Sequence, residues 1–262
     1  MELTSEFNDL KNIFNENPFI IAGPCSAETE EQMMRTAKGL VNIGVKMMRA
    51  GIWKPRTRPG GFEGAGNKGL EWYQEVKKET GIQLATEVAT PEHFEAALKA
   101  GIDLFWIGAR TTCDPFSVQA LADAMKGTDV SVLVKNPLCP DLKLWIGAIE
   151  RIHDAGITKL GAIHRGFCPY HECQYRNEPL WEVAEKLHSL IPNLPLVFDP
   201  SHMGGKREYV EPLSKKALDM NIYNGFLIET HCNPDEAWTD ACQQLSPASL
   251  QETLHHLGIR TL

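Results

Sequence analysis

Eight short apolar runs recur along the chain, each followed by polar or turn-forming residues and then by a stretch with helical spacing. They are Phe19-Ile-Ile-Ala, Val45-Lys-Met-Met-Arg49, Gln83 to Val88, Leu104 to Ile107, Val130 to Lys135, Leu160 to Ile163, Leu196 to Phe198 and Phe226 to Ile228. Runs this short, alternating with helical patterns, call for parallel strands joined by helical crossovers. The punctuation agrees. Thr29-Glu-Glu-Gln32 has the capping-box pattern, Thr90-Pro91, Asp114-Pro115, Asn233-Pro234 and Ser246-Pro247 read as helix starts, and Pro179 opens a further helix. Eight units without an interrupting linker predict a fold of the α/β class, a single (β/α)8 TIM barrel over residues 18–262, behind a lead-in over residues 1–17. A doubly wound open sheet is the runner-up, and six or seven units would have suited it better. The length of 262 residues agrees with the barrel.

Composition narrows the function. A formal charge of −8 argues against nucleic acid or an anionic membrane as the main partner. Seven scattered cysteines do not make a secreted disulfide framework. With no signal peptide and no apolar run of about 18 residues, a cytoplasmic location is expected.

In a closed barrel all strands point the same way, so the residues just past them share one face. Those residues are Cys25, Arg49, Lys54, Arg56, Glu87, Arg110, Lys135, His164, Arg165, His202, Glu229 and His231. Two chemical groups emerge. Cys25, His202 and Glu229, with Asp240 as a further candidate, combine a thiol, an imidazole and carboxylates at strand ends 1, 7 and 8. Strands 8 and 1 are neighbours in a closed barrel. Such a set can hold one divalent first-row metal, with Mn, Co, Fe and Zn all open. Arg49, Lys54, Arg56, Arg110, Lys135 and Arg165 form the second group. Cations gathered at one mouth repel one another unless an anion joins them, so a small polyanionic substrate is expected. The stretch Leu196-Val-Phe-Asp-Pro-Ser-His-Met-Gly-Gly shows the pattern most plainly, as a buried strand running into what reads as a polar loop. Cys168-Pro-Tyr-His-Glu-Cys173 looks metal-like but has no second pair at zinc-finger spacing, and it reads as a loop.

Several motifs carry a resemblance: Gly23-Pro-Cys25, Lys54-Pro-Arg-Thr57, Ala85-Thr-Glu-Val88, Ile107-Gly-Ala-Arg110, Val134-Lys-Asn-Pro137, His164-Arg-Gly166, Asp199-Pro-Ser-His202 and Ile228-Glu-Thr-His231. From Ala22 to Gln244 the chain resembles the 3-deoxy-D-arabino-heptulosonate 7-phosphate (DAHP) synthases. The likeness is to the compact type related to 3-deoxy-D-manno-octulosonate 8-phosphate (KDO8P) synthase. The resemblance implies metal ligands at Cys25, His202, Glu229 and Asp240. It implies phosphoenolpyruvate contacts at Arg49, Lys54, Glu87, Arg110, Lys135 and Arg165, sugar-phosphate contacts at Lys54, Pro55, Arg56 and Thr57, and His164 as a further substrate-binding residue. Lys54, His202 and Cys25 are the expected catalytic residues.

The implied reaction joins phosphoenolpyruvate to erythrose 4-phosphate, giving DAHP and phosphate, the first step of the shikimate pathway to aromatic amino acids. The alternative is KDO8P synthesis from arabinose 5-phosphate; Pro55-Arg-Thr57 favours the four-carbon sugar, while Arg58 stands where relatives usually have serine. A non-catalytic barrel acting as a binding subunit is the reading from another class, and the presence of every expected ligand argues against it. A homo-oligomer is expected. Residues 1–17 and the tail after Leu245 are expected to leave no room for an N-terminal ligand-binding module or a fused chorismate mutase. An unregulated short form or the catalytic piece of a longer polypeptide is therefore expected, with fusion to or association with chorismate mutase outside this chain kept open.

Overall fold

The computed structural model describes residues 18–54 and 60–260. Eight parallel strands close on themselves in sequence order: β1 (Phe19–Gly23), β2 (Met47–Arg49), β3 (Gln83–Val88), β4 (Leu104–Ile107), β5 (Ser131–Lys135), β6 (Leu160–His164), β7 (Leu196–Phe198) and β8 (Gly225–Glu229). The seam is the β1–β8 pair, in register from Phe19 opposite Gly225 to Gly23 opposite Glu229. The barrel expected from the alternation is the observed fold, and no helix among the described residues is long and apolar enough to cross a membrane.

Strand alternation sorts side chains into two layers. Phe19, Ile21, Met47, Ala85, Leu104, Trp106, Leu133, Ile163, Val197 and Leu227 fill the barrel interior. The intervening residues, such as Met48, Phe105, Val132, Ala162 and Phe198, face outward against helical side chains including Met33, Tyr73, Phe94, Leu121, Trp145 and Leu213. Because both faces are covered, the strands read as continuous apolar runs.

Helix starts follow the capping signals. Thr29, Thr90, Asp114 and Ser246 each accept a backbone N–H from the first turn of the helix they precede. Four local expectations change. Val45 sits outside β2 because its N–H bonds to Leu40 at the end of the preceding helix. The helix expected at Pro179 begins at Trp181, and the Pro179 carbonyl instead faces the His164 ring. Asn233-Pro234 opens only a single 3-10 turn, Pro234–Glu236. The segment after Asp199 is not a loop: Pro200–Gly204 forms one helical turn, capped by the Asp199 carboxylate accepting from His202 N at 3.0 Å.

Candidate active site at the C-terminal mouth

Two residues beyond each interior side chain lies the last layer before the barrel mouth: Gly23, Arg49, Glu87, Gly108, Lys135, Arg165, Asp199 and Glu229. The alternation that buries Ile21, Met47, Ala85, Trp106, Leu133, Ile163, Val197 and Leu227 therefore aims their charged successors at a common point. The two glycines in this layer make room. A side-chain carbon at Gly23 would lie 2.1 Å from the Arg49 carbonyl oxygen, and one at Gly108 would lie 2.2 Å from Glu87 Oε1.

Trp106 forms the floor. Its Nε1 donates to Glu87 Oε2 at 2.8 Å, while the Arg49 guanidinium and the Lys135 ammonium stand 5.0 and 5.8 Å from its ring centre. Both cations have buried carboxylate partners. Arg49 Nη1 lies 2.7 Å from Glu229 Oε1, and Lys135 Nζ lies 3.0 Å from Asp199 Oδ2. Arg165 differs. Its Nη1 donates to Asn177 Oδ1 at 2.7 Å and more weakly to the Gly166 carbonyl, and its backbone N–H donates to Asn136 Oδ1. Burial, with Arg176 and Arg110 nearby, brings the guanidinium down to about 10 despite the counteracting Asp199. A buried cation held by amides and carbonyls in the presence of other cations is an anion-binding position. Arg110 lies exposed on the rim, on the short turn Ala109–Thr112.

At the β1–β8 seam, ligand atoms of Cys25, Glu229 and Asp240 all lie within 4.8 Å of one another. Cys25 Sγ is 3.3 Å from Asp240 Oδ2, and Lys54 Nζ approaches the same sulfur at 3.0 Å. His202 stands beside this group on the helical turn after β7, its Nε2 3.4 Å from Glu229 Oε1. Its Nδ1 lies 2.7 Å from Asp199 Oδ2, a close charge contact whose angle is not that of a straight hydrogen bond. Burial, reinforced by Glu229, pushes the Cys25 thiol up to about 12. Burial also disfavours charge on Asp199, but the His202 ring and Lys135 outweigh it and hold that carboxyl far below its ordinary range. One thiol and two carboxylates within mutual reach, with an imidazole beside Glu229, fit a divalent first-row metal. The carboxylate behind the imidazole is the outer partner that ligating histidines commonly carry.

The structure thus brings Cys25, Arg49, Lys54, Glu87, Lys135, Arg165, His202, Glu229 and Asp240 to one mouth, with Arg110 on its rim. Pro55, Arg56, Thr57 and Arg58 lie outside the described residues. His164 is elsewhere. It shares the alternation of Leu160 and Ala162, so its ring enters the layer between barrel and helices, among Trp145, Phe167, Trp181, Phe198 and Tyr223. Its Nε2 faces the Pro179 carbonyl at 2.8 Å, which can only accept, so that nitrogen carries the hydrogen and Nδ1 accepts from the Tyr223 hydroxyl. His231, also past a strand end, is buried beside Glu28, at 3.4 Å, and its Nδ1 accepts from Asn233 N.

Sequence reasoning assigns no role to Asp199, Trp106, Asn136, Asn177, Arg176 or Gln243. Two-residue alternation would have found the first two. The others come from loops whose paths no local pattern encodes.

A family profile described as the DAHP synthetase I family matches residues 8–260. This chain belongs to the DAHP synthetase I family. Members of the DAHP synthetase I family are transferases on an aldolase-type barrel, and this chain is such an enzyme. It is 32% identical over 238 residues to the phospho-2-dehydro-3-deoxyheptonate aldolase of Thermotoga maritima, covering 91% of this chain and 68% of that one. A crystal structure of that Thermotoga DAHP synthase superposes with a TM-score of 0.82 at 32% identity, over 92% of this chain and 68% of the other. The 2-dehydro-3-deoxyphosphooctonate aldolase of Rickettsia rickettsii is 29% identical over 275 residues, covering 97% and 95% of the two chains.

Proposed function

We propose that this enzyme condenses phosphoenolpyruvate with erythrose 4-phosphate to give DAHP and phosphate, with one divalent metal held by Cys25, His202, Glu229 and Asp240. The observation that carries the reading is the meeting, in one barrel mouth, of that donor set with Arg49, Lys54, Lys135 and Arg165. The two substrates bring two phosphates and a carboxylate between them. Several fixed cations are needed to hold these groups in reacting geometry, and arginine forks match their oxygens. A divalent metal held by these residues would supply Lewis-acid polarisation when bound.

The methylene carbon of phosphoenolpyruvate bonds to the aldehyde carbon, water adds at the phosphate-bearing carbon, and phosphate leaves with carbon–oxygen cleavage. Lys54 is the candidate proton donor to the new hydroxyl. Burial opposes its charge, but the Cys25 sulfur and nearby carboxylates outweigh this and hold the ammonium above its ordinary range. Arg165 and Arg110 form the anion end of the pocket. The reading extends to a cytoplasmic homo-oligomer that takes part in aromatic amino acid synthesis, with chorismate mutase as an outside partner.

The octulosonate reaction is the second reading, favoured by the Rickettsia relative's near-complete coverage. Lys54-Pro-Arg-Thr57 and the higher identity to the Thermotoga enzyme support the four-carbon sugar. Phosphate release measured with erythrose 4-phosphate and with arabinose 5-phosphate, before and after chelation, separates them. Turnover of the tetrose, lost on chelation and restored by manganese or cobalt, is expected. Exclusive use of the pentose sinks the first reading, and chelator-insensitive turnover sinks the metal assignment.

A further inference from the structure

Both carboxylates of the proposed metal centre are oriented by polar side chains from other elements, Asp240 at one oxygen and Glu229 at both. Asp240 Oδ1 accepts from Arg176 Nη1 at 3.0 Å, leaving Oδ2 toward the Cys25 sulfur. Glu229 Oε2 accepts from Gln243 Nε2 at 2.7 Å, while Oε1 accepts from Arg49 Nη1 at 2.7 Å and faces His202 Nε2 at 3.4 Å. The Arg176 and Gln243 ties are linked, because the same Arg176 Nη1 also donates to Gln243 Oε1 at 2.7 Å. A single guanidinium, from the loop between β6 and β7, therefore reaches Asp240 directly and Glu229 through Gln243, while Arg49 holds the other Glu229 oxygen.

Two further features serve this arrangement. Asp240 has φ +49°, a left-handed conformation that a non-glycine residue keeps only when its surroundings hold it there. Gly205 leaves space for the arginine stem: a side-chain carbon there would lie 2.5 Å from Arg176 Cβ, and Arg176 N donates to the neighbouring Gly204 carbonyl. The fold thus holds the arginine at both its backbone and its guanidinium.

We propose that Arg176 is a positioning residue for the metal centre, setting the orientation of Asp240 directly and that of Glu229 through Gln243. This rests on the metal reading above. Losing such an outer partner lowers metal affinity by about 10- to 100-fold.

The test is cobalt titration of the purified wild type and of Arg176→Met, Arg176→Lys and Gln243→Leu, read from thiolate-to-cobalt absorption, with substrate kinetics at saturating manganese. Arg176→Met is expected to weaken cobalt binding within that range, with KM for both phosphorylated substrates unchanged once metal saturates. Arg176→Lys should retain part of the affinity, since an ammonium keeps the charge and can donate to more than one acceptor but sits on a shorter side chain with a non-planar head group. Combining Arg176→Met with Gln243→Leu should cost less than the two separate losses together, because the residues act as one unit. Should Arg176→Met fail to fold, Arg176→Lys and Gln243→Leu carry the test. Wild-type cobalt affinity in the folded variants, or a raised KM with unchanged metal affinity, overturns the inference alone. A wild-type chain that binds no cobalt overturns the metal reading and this inference together.

Discussion

Arg49 Nη1 lies 2.7 Å from Glu229 Oε1, and the two side chains are only 2% and 0% exposed. They stand on β2 and β8 and meet across the end of β1, where Gly23 presents no side chain to separate them. The pair joins the cationic half of the mouth to its metal-binding half. Arg49 also donates from Nη2 to the Cys25 carbonyl at 3.0 Å.

Breaking this pair from one side should be costly. Arg49→Met strands a buried carboxylate, and a loss of about 3–5 kcal/mol in unfolding free energy is expected. The double variant Arg49→Met with Glu229→Leu should recover part of that loss, since no charge is left uncompensated. Urea denaturation of the two variants checks this. A single variant as stable as wild type shows that solvent reaches the pair.

Asp199→Asn keeps the acceptor that caps the turn Pro200–Gly204 but removes the charge facing His202 and Lys135. Metal affinity should fall about 10- to 100-fold, with the far-ultraviolet spectrum unchanged, because the imidazole loses its orienting carboxylate. Calorimetric titration with manganese measures the change. Unaltered affinity removes Asp199 from the support of the centre.

Cys25→Ala should bring turnover to background while costing only about 1 kcal/mol of stability, since it removes one small buried sulfur. Phosphate release and thermal unfolding of the same preparation test both halves. Retained activity takes the thiol out of the ligand set.

His164 links pH to stability rather than to catalysis. Burial brings its imidazole from 6.5 down to about 4, so the folded chain binds that proton less readily than the unfolded chain. Stability is therefore fully present above pH 6.5 and declines as pH falls toward 4, by up to about 3 kcal/mol from this residue. Urea midpoints across that window should fall in the wild type and fall less in His164→Gln. Parallel slopes in the two proteins contradict the linkage.

How far the site could be read from sequence follows from its geometry. Strand ends were plain because buried parallel strands are continuous apolar runs, so Arg49, Lys135 and Glu229 could be assigned to the mouth from position alone. His164 misled because a residue past a strand end can face either layer, and only counting alternation from Ala162 shows that it turns outward. Asp199 lay inside the most conspicuous motif, yet its hold on Lys135 depends on β5 standing near β7, which no local pattern reports.

The order of short strands and helices by itself determined the closed barrel, since each element's spacing, caps and turn residues act within a few positions. It also determined that Arg49, Lys135 and Glu229 reach the open face, because parallel strands deliver their ends together, though not which way a residue such as His164 turns. Only the tertiary structure decided the partners: Arg49 with Glu229, His202 with Asp199, Arg176 with Asp240 and Gln243. Those pairings join residues far apart in the chain across a low-dielectric interior, where burial makes an unmatched charge costly, and that cost is a property of the assembled barrel.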